Sequence, residues 1–280
     1  MLSVTNAESF FLSIIMRSKI AVCFFGVVSR SVQYTYGNQC SQLIDALKEK
    51  YDVDVFVFNN VVDNALVDGI KQNQKHVHLL PSHFYETINQ SVMDSEIIRH
   101  LKHKHVIPKM RSDYTETSIR NALRQLYAEN RVASFLIRNT AKYQAAVVCG
   151  SDLYLFKPIN ISHVEHAISN PTAIYTTTMN DAQGYTNGFY IGSLPPLIKI
   201  LTRYRYIEYL LPDNKDYEYL LMKSFKLHNL ERLVTDMPFA KIRSNKALSI
   251  DGWKNLDKKG INKIDLEKLE KILQRPIKYA

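Results

Sequence analysis

The sequence predicts an α/β fold, in which a mixed and mainly parallel sheet is flanked by helices. Ile20 to Phe25 is a continuous apolar run that ends at Gly26, as in a strand buried on both faces of a parallel sheet. Val53 to Phe58 is a second predicted strand, in which Asp54 is the one residue that is not apolar. Between them, apolar residues recur on one predicted helical face: Cys40, Leu43, Ile44 and Leu47. A strand, a helix and a parallel strand form a right-handed β-α-β unit, and open sheets of this kind bind ligands at the carboxyl edge.

The following elements are predicted in chain order. Asn59 and Asn60 favour a turn that closes the second strand. Residues 60–112 are polar and weakly periodic, so we expect one or two short helices and loops there. Ser112 to Glu116 is typical of a helix start, which apolar residues at helical spacing then continue. We further expect strands over 145–149, 173–177 and 188–191, and helices near 195–211 and 215–226.

Composition and charge narrow the class of protein. The chain has 280 residues, 46% of them hydrophobic and 22% charged, which fits a single globular domain. The formal net charge is +9, and residues 241–280 supply much of it with 11 Lys and Arg against 5 Asp and Glu. That tail predicts a solvated basic helix with Asp265 as its N-cap. Cys23, Cys40 and Cys149 lack the spacing of a zinc site, so we interpret them as reduced thiols in a reducing, cytoplasmic compartment.

The N-terminal segment holds a short apolar run over residues 10–16. A bilayer-spanning helix needs roughly 20 apolar residues, so this run is too short to be one. Glu8 precedes the run and basic residues follow it, the reverse of the charge order in a secretory signal. We therefore expect an extension ahead of the first strand and no transmembrane segment.

Asp152 is the first candidate for chemistry, because a predicted strand delivers Gly150-Ser151-Asp152 to the carboxyl edge of the sheet. Mg²⁺ and Mn²⁺ prefer oxygen ligands and are commonly shared between a carboxylate and substrate phosphates. Such a cation would neutralise charge on a departing diphosphate. An Asp in a turn that accepts backbone hydrogen bonds is the structural alternative.

Four segments, in order, resemble the GT-A-type glycosyltransferases, including small ones encoded by large algal DNA viruses. The segments begin at Lys19-Ile20-Ala21-Val22, Asp52-Val53-Asp54-Val55, Tyr143-Gln144-Ala145-Ala146 and Asn187-Gly188-Phe189-Tyr190. The resemblance implies a GT-A-like, Rossmann-like nucleotide-binding domain over residues 19–245. Residues 1–18 would then be an N-terminal extension, and residues 246–280 a basic helical segment packed on the same domain.

The resemblance implies a UDP-sugar donor and a bound Mn²⁺ or Mg²⁺. The family's metal motif is usually Asp-x-Asp, but Gly150 stands at the first acidic position and only Asp152 remains. The resemblance therefore implies that Asp152 is a metal ligand, with His228 as a candidate C-terminal histidine ligand. A single His is more often structural or exposed.

A base is needed if the transfer inverts the anomeric centre, because the acceptor hydroxyl must lose its proton. Glu218 and Asp216, at the start of a predicted helix, are the first and second candidates, and Asp181 is the third. Carboxylates at a helix start are also favoured structurally, through capping and the helix dipole.

Donor and acceptor contacts are predicted from the loops around these segments. Gly26 permits close backbone approach to a nucleotide, and Arg30 offers a fork of donors to a diphosphate. The full set of predicted donor-binding residues is Phe25, Gly26, Arg30, Asn59, Arg120, Arg124, Ser151 and Asp152. The predicted acceptor-binding residues are Tyr185, Asn187, Gly188 and Phe189, of which the aromatic rings would stack on sugars.

The expected function is therefore metal-dependent transfer of a sugar from a nucleotide sugar to a glycan hydroxyl. The resemblance to the viral enzymes favours xylose from UDP-xylose, with inversion. A non-catalytic nucleotide-sugar or glycan-binding protein is the alternative, since the first acid of the metal motif is missing. A nucleic-acid-binding module ranks last, because the basic charge is concentrated in the tail and no recognition motif is present.

Overall fold

The computed structural model describes residues 17–62, 66–67, 70–104, 115–179, 181, 184–210, 217–246, 248–249 and 261–274. Its strands are β1 Lys19–Gly26, β2 Asp52–Val61, β3 Leu66–Val67, β4 Ile70–Lys71, β5 Phe84–Asn89, β6 Ala145–Gly150, β7 Leu153–Leu155, β8 Ala173–Thr176, β9 Phe189–Ser193, β10 Glu231–Val234, β11 Phe239–Ile242 and β12 Leu248–Ser249. Its α-helices are α1 Val32–Gln39, α2 Ala46–Lys48, α3 Gln90–His103, α4 Glu116–Arg138, α5 Ile161–Ser169, α6 Leu194–Leu201, α7 Ile207–Leu210, α8 Tyr217–Leu227 and α9 Lys263–Leu273.

The main sheet has seven strands in the order β10-β8-β9-β6-β1-β2-β5. β1 pairs in parallel with both β2 and β6, and β2 pairs in parallel with β5. β9 is antiparallel to both of its neighbours, β6 and β8. The predicted class, a mixed and mainly parallel sheet flanked by helices, is therefore confirmed.

The core lies on both faces of this sheet. Ile20, Val22 and Phe24 of β1 join one hydrophobic cluster, while the alternating residues Ala21 and Cys23 join the other. Successive side chains of a strand point to opposite faces, so a strand covered on both sides is apolar at every position. The predicted helical face packs here: Leu43, Ile44 and Leu47 are buried in the first cluster.

The helix between β1 and β2 continues through a π-helical segment. α1 is followed directly by Cys40–Asp45 with π geometry and then by α2. π segments inside α-helices occur frequently at functional sites. The side chains of α1 contact the candidate site described below.

Most of the predicted elements are confirmed, including α4, α8 and the strands β1, β2, β6, β8 and β9. Thr115 is the N-cap of α4, and its hydroxyl oxygen accepts a hydrogen bond from the Ser118 amide. Cys23 and Cys149 are buried, and all three cysteines are free thiols.

Three local predictions were wrong. Asn59 and Asn60 do not form a turn but lie inside β2, where both are buried. The region 60–112 holds an edge strand, β5, and a helix of 14 residues, α3. In α9, Asn262 is the N-cap and Asp265 is the acidic partner of a capping box.

The C-terminal part adds a smaller sheet of order β12-β11-β7, in which β11 is antiparallel to β7. α9 packs Leu266, Leu269 and Leu273 into the first hydrophobic cluster. Among the helices that the structure describes, none is both long and apolar enough to cross a bilayer.

Candidate active site

The carboxyl ends of β1 and β6 form the candidate site. From β1 the chain passes to β2 on one side, whereas β6, on the other side of β1, is reached only much later in the chain. Such a reversal of strand order opens a crevice at the carboxyl edge, where open α/β sheets bind their ligands. The two strand ends are joined here, because the Ser151 amide donates to the Phe25 carbonyl at 3.0 Å.

Gly26 ends β1 in a conformation that excludes other residues. Its φ is +126°, and a Cβ added there would lie 3.2 Å from the Ser151 Oγ. A side chain would therefore be both strained and crowded. The role predicted for Gly26, close backbone approach to a nucleotide, stays a prediction that this geometry permits.

Asp152 lies between two arginines at this edge. Its Oδ2 is 3.7 Å from a guanidinium nitrogen of Arg30 and 3.7 Å from one of Arg243. Arg30 ends the 3₁₀ segment Val28–Arg30 that follows β1. Arg243 directly follows β11, and the Ile242 amide fixes this position by donating to the Asp152 carbonyl at 2.8 Å. Sequence reasoning missed Arg243, since no local pattern indicates that β11 pairs with β7.

Two side chains of α1 hold the Gly150-Ser151-Asp152 turn from within the core. The Thr35 hydroxyl donates to the Ser151 carbonyl at 3.0 Å. The Gln39 amide lies within hydrogen-bond distance of the carbonyls of Gly150, Ser151 and Leu153, at 3.3, 3.2 and 2.9 Å. Because Thr35 and Gln39 are fully buried, these bonds fix the turn rigidly. These two positioning residues were not predicted.

The residues around Asp152 do not fit a metal centre. Among the described residues, no group of three His, Cys, Asp or Glu side chains is placed to hold a metal ion. A divalent cation at the Asp152 Oδ2 would lie beside two guanidinium groups that are already 3.7 Å from it, which Coulomb repulsion disfavours. Among the described side chains at this turn, two guanidinium groups therefore lie beside one carboxylate.

His228 is not brought to Asp152. It precedes β10, whose first residue Glu231 is level with Ala173 at the edge where the parallel strands begin. Across β9 that edge is level with the start of β6, and the five residue steps from Ala145 to Gly150 correspond to roughly 17 Å. Burial, and then the charge of Lys199, lower the pKa of His228, and its ring packs against Tyr206. The prediction that His228 shares a metal with Asp152 is corrected by this separation.

The predicted acceptor loop lies directly beside the Asp152 turn. The Gly150 amide donates to the Gly188 carbonyl at 2.8 Å. Asn187 is 97% buried and bridges two helices: its amide nitrogen donates to Glu218 Oε1 at 3.4 Å, and its oxygen accepts from Gln125 at 3.3 Å. Asn187 is therefore a bridging residue between α4 and α8.

Glu218 is the candidate base that the structure joins to this loop. It lies in the first turn of α8, is 7% exposed, and its carbonyl accepts from the Tyr185 amide at 3.0 Å. Asp216 lies outside the described residues. Asp181 has a different position, because its carboxylate accepts from the amide and hydroxyl of Thr186 and pairs with Arg232 at 2.7 Å. Asp181 thus anchors the start of the loop.

A buried polar network supports the loop from the core. Arg203 and Glu129 are both fully buried and form an ion pair at 2.5 Å. The Tyr190 hydroxyl donates to Glu129 at 3.3 Å and accepts from the Gly188 amide at 3.1 Å. Burial, and then the Glu129 charge, raise the pKa of Tyr190, so its hydroxyl stays protonated. Neither Arg203 nor Glu129 was predicted as part of the site, although both lie in predicted elements.

Three further residues that were predicted to contact the donor or the acceptor are partly or fully buried. Tyr185 is half-buried, with Arg232 over its ring at 4.2 Å. Phe189 is fully buried in β9, so its ring has no face for a sugar, and the prediction that it is a stacking platform is corrected. Phe25 is also a core residue.

Three predicted donor-binding residues have protein partners. The Asn59 side-chain oxygen accepts from the Val28 amide at 3.1 Å, which positions the segment that carries Arg30. Arg124 makes a two-pronged contact with Asp94 at 2.7 and 2.6 Å. Arg120 is exposed and pairs with Glu116 one turn away. Of these three residues, Asn59 is the one whose contact positions a segment of the crevice.

Two surface cavities lie elsewhere. One, of about 400 Å³, is lined by residues of α3, α4 and the 3₁₀ segment Thr202–Tyr206. The other, of about 440 Å³, lies around Asp52 and Asp54 where the parallel strands begin. Neither includes Asp152 or Glu218, so the candidate site rests on the convergence of side chains at the carboxyl edge.

The comparisons with known proteins give likeness to solved structures alone. No protein-family model and no curated protein matches the sequence. A crystal structure of mouse xyloside xylosyltransferase 1, in its apo form, is similar to the chain with a TM-score of 0.40 and 10% sequence identity, covering 78% of this chain and 85% of the mouse chain. The function of the chain is therefore inferred from its own residues.

Proposed function

We propose that the chain is a glycosyltransferase that moves a sugar from a nucleotide sugar to a hydroxyl of a glycan. One observation carries the proposal: a continuous set of contacts joins the arginine-flanked Asp152 turn to a buried carboxylate. Gly150 bonds Gly188, and the neighbouring Asn187 bonds Glu218. An anion-binding end and a proton acceptor, held side by side on a rigid frame, are what transfer from a sugar diphosphate requires.

The donor end is the crevice between β1 and β6. Its location at the switch of strand order suits a nucleotide, and the glycine ends of both strands allow backbone to approach a phosphate. Arg30 and Arg243 supply positive charge there. The diphosphate would occupy this end, so that the anomeric carbon points towards the acceptor loop.

The acceptor end is the loop that precedes β9 together with the start of α8. In an inverting transfer, the acceptor oxygen forms a bond to the anomeric carbon as the bond from that carbon to the diphosphate oxygen breaks. The bonding electron pair leaves with the nucleoside diphosphate. Glu218 takes the proton of the acceptor hydroxyl, and Asn187 orients the Glu218 carboxylate for that step.

The first donor to test is UDP-xylose, because the sequence resembles viral glycosyltransferases for which an inverting xylosyl transfer is expected. The test is release of UDP, or of another nucleoside diphosphate, from a panel of nucleotide sugars in the presence of glycan acceptors, with Mn²⁺ and, separately, with EDTA. The proposal predicts acceptor-dependent release from at least one donor. A chain that binds nucleotide sugars but releases no nucleoside diphosphate in either condition would be a binding protein instead.

A further inference from the structure

We propose that Arg30 and Arg243 form a guanidinium clamp for the donor diphosphate, and that this clamp does the work of a divalent cation. The inference rests on the proposed function and adds the means by which the site neutralises the leaving group. It assigns a diphosphate-binding role to Arg243, which no sequence pattern indicates. It also predicts transfer without added metal.

The charges at the Asp152 turn favour an anion. Among the described side chains, Arg30 and Arg243 lie beside the single carboxylate of Asp152, so these three side chains together carry net positive charge. A nucleotide sugar carries negative charge on each phosphate, and more develops on the leaving oxygen as the glycosidic bond breaks. Arginine suits this task because its planar fork of N–H donors matches phosphate oxygens and its charge is permanent.

The distances are those of a balanced cluster rather than of closed ion pairs. One guanidinium nitrogen of each arginine is 3.7 Å from the Asp152 Oδ2. Direct charge-assisted hydrogen bonds are shorter, about 2.7–2.9 Å. Asp152 therefore lies beside both positive charges and partly balances them, without a direct hydrogen bond to either group.

The arginines come from separate elements that the core holds in place. Arg30 follows β1, where the side chain of buried Asn59 fixes the Val28 amide. Arg243 follows β11, which is tied to the Asp152 carbonyl through Ile242. Thr35 and Gln39 hold the turn between them. Because the frame is rigid, the clamp is assembled before the ligand binds, which lowers the ordering cost of binding.

The absence of an acid at position 150 agrees with this charge balance. A Cβ at Gly150 would lie 3.1 Å from the Asp152 Oδ1, so an acidic residue there would bring a second carboxylate against the first. That carboxylate would cancel the net positive charge of the cluster and create a cation site. Gly150 keeps the turn positive.

Calorimetric titration of UDP and of uridine into the full chain, in EDTA and then in Mn²⁺, tests the clamp. We expect UDP to bind in EDTA and Mn²⁺ to change its Kd less than about threefold. Arg243→Gln and Arg30→Gln should each weaken UDP binding about tenfold or more while uridine binding stays constant. Arg138→Gln, a matched change at an exposed arginine in the last turn of α4, should leave UDP binding unchanged.

The Asp152→Asn variant distinguishes a guanidinium clamp from a metal site. A metal ligand at Asp152 predicts loss of UDP binding in the variant, whereas the clamp predicts retained or tighter binding, because a negative charge next to the diphosphate is removed. UDP binding that requires Mn²⁺, or that Asp152→Asn abolishes in a chain with an unchanged melting curve, would overturn the inference.

Measurements of sugar transfer distinguish this inference from the proposed function. Sugar transfer in EDTA at the rate found with Mn²⁺ supports the clamp. Transfer with Mn²⁺ but none in EDTA overturns the clamp and leaves the glycosyltransferase standing. UDP binding in EDTA without transfer in either condition supports the clamp as a diphosphate site and overturns the proposed activity.

Discussion

The backbone of Glu218 lies directly against Gly184. A Cβ added at Gly184 would be 2.1 Å from both the carbonyl carbon and the carbonyl oxygen of Glu218, a distance at which backbone must move. The neighbouring Tyr185 amide donates to the same carbonyl at 3.0 Å. The loop that precedes β9 and the start of α8 therefore form one unit, and the candidate base is positioned by backbone contacts as well as by Asn187.

Gly184→Ala should cost activity because it displaces Glu218. A misplacement of about 1 Å lowers the rate of an oriented reaction roughly a hundredfold, so we expect a loss of about that size in kcat. Gly37→Ala is the matched control, since a Cβ at Gly37 on α1 meets nothing within 4 Å. That control should keep its activity and gain about 0.5–1 kcal/mol of stability from helix propensity. Equal activities of the two variants would contradict the role of Gly184.

Arg203→Met should be strongly destabilising. The change leaves Glu129 as a buried charge without its ion-pair partner, which costs about 3–5 kcal/mol. Arg205→Met, on the same 3₁₀ segment, removes a contact to Asn130 at an exposed site and should change the free energy of unfolding by less than about 0.5 kcal/mol. Urea denaturation measures both. A small effect of Arg203→Met would mean that the buried network does not hold the acceptor loop.

Asp54→Asn should lower stability in a pH-dependent way. Burial alone would raise the pKa of Asp54, but hydrogen bonds from Lys142, Tyr143 and Lys19 outweigh it and lower the pKa from 3.8 to about 2. A carboxylate with a lowered pKa stabilises the fold above its unfolded pKa, and that stability is lost as the pH falls through its folded pKa. The variant should therefore be less stable by about 2 kcal/mol at pH 7, and the difference should shrink between pH 4 and pH 2.

The control for this pH dependence is Asp52→Asn, at an exposed position two residues earlier on β2. Its free energy of unfolding at pH 7 should stay within about 0.5 kcal/mol of that of the parent chain, because substitutions at exposed positions change stability little. A difference between Asp54→Asn and the parent that stays constant from pH 7 to pH 2 would show that the carboxylate charge is not what the three partners stabilise.

Gly150→Asp should convert the clamp towards a cation site. The added carboxylate would lie beside Asp152 and balance the second guanidinium charge, so we expect UDP binding in EDTA to weaken about tenfold. Mn²⁺ should restore part of that affinity in the variant while leaving the parent nearly unchanged. Calorimetric titration measures the Kd of UDP in both conditions. An unchanged Kd of UDP in EDTA would show that net charge at this turn does not govern binding.

The sequence predicts much of the fold because hydrophobic periodicity reports burial directly. β1 is apolar from Ile20 to Phe25 and β2 from Val55 to Phe58, since both faces of the sheet are covered, and α4 shows its buried stripe. β5 was missed because it is an edge strand with only partly buried residues, so its pattern is polar. The turn propensity of Asn59 reflects only its neighbours in sequence, and it therefore predicts a turn. The hydrogen bond between Asn59 and Val28 depends on tertiary structure, which that propensity does not report.

Residues of the candidate site could be predicted only where they end or follow a predicted strand. Gly26, Arg30 and Asp152 follow predicted strands, so their shared edge could be inferred. Arg243 could not, because it reaches Asp152 through the pairing of β11 with β7, far apart in sequence. Thr35 and Gln39 were missed for the same reason, since a buried polar side chain on a helix has no local signature of its partner.

Turnover by the parent chain and by Glu218→Gln, measured side by side with UDP-xylose and other nucleotide sugars, tests the central claim most directly. We predict acceptor-dependent release of nucleoside diphosphate by the parent, and a loss of about a hundredfold to ten-thousandfold in Glu218→Gln with UDP affinity retained. Equal turnover by parent and variant would contradict the role of Glu218, and no release by the parent from any donor would contradict the proposed glycosyl transfer itself.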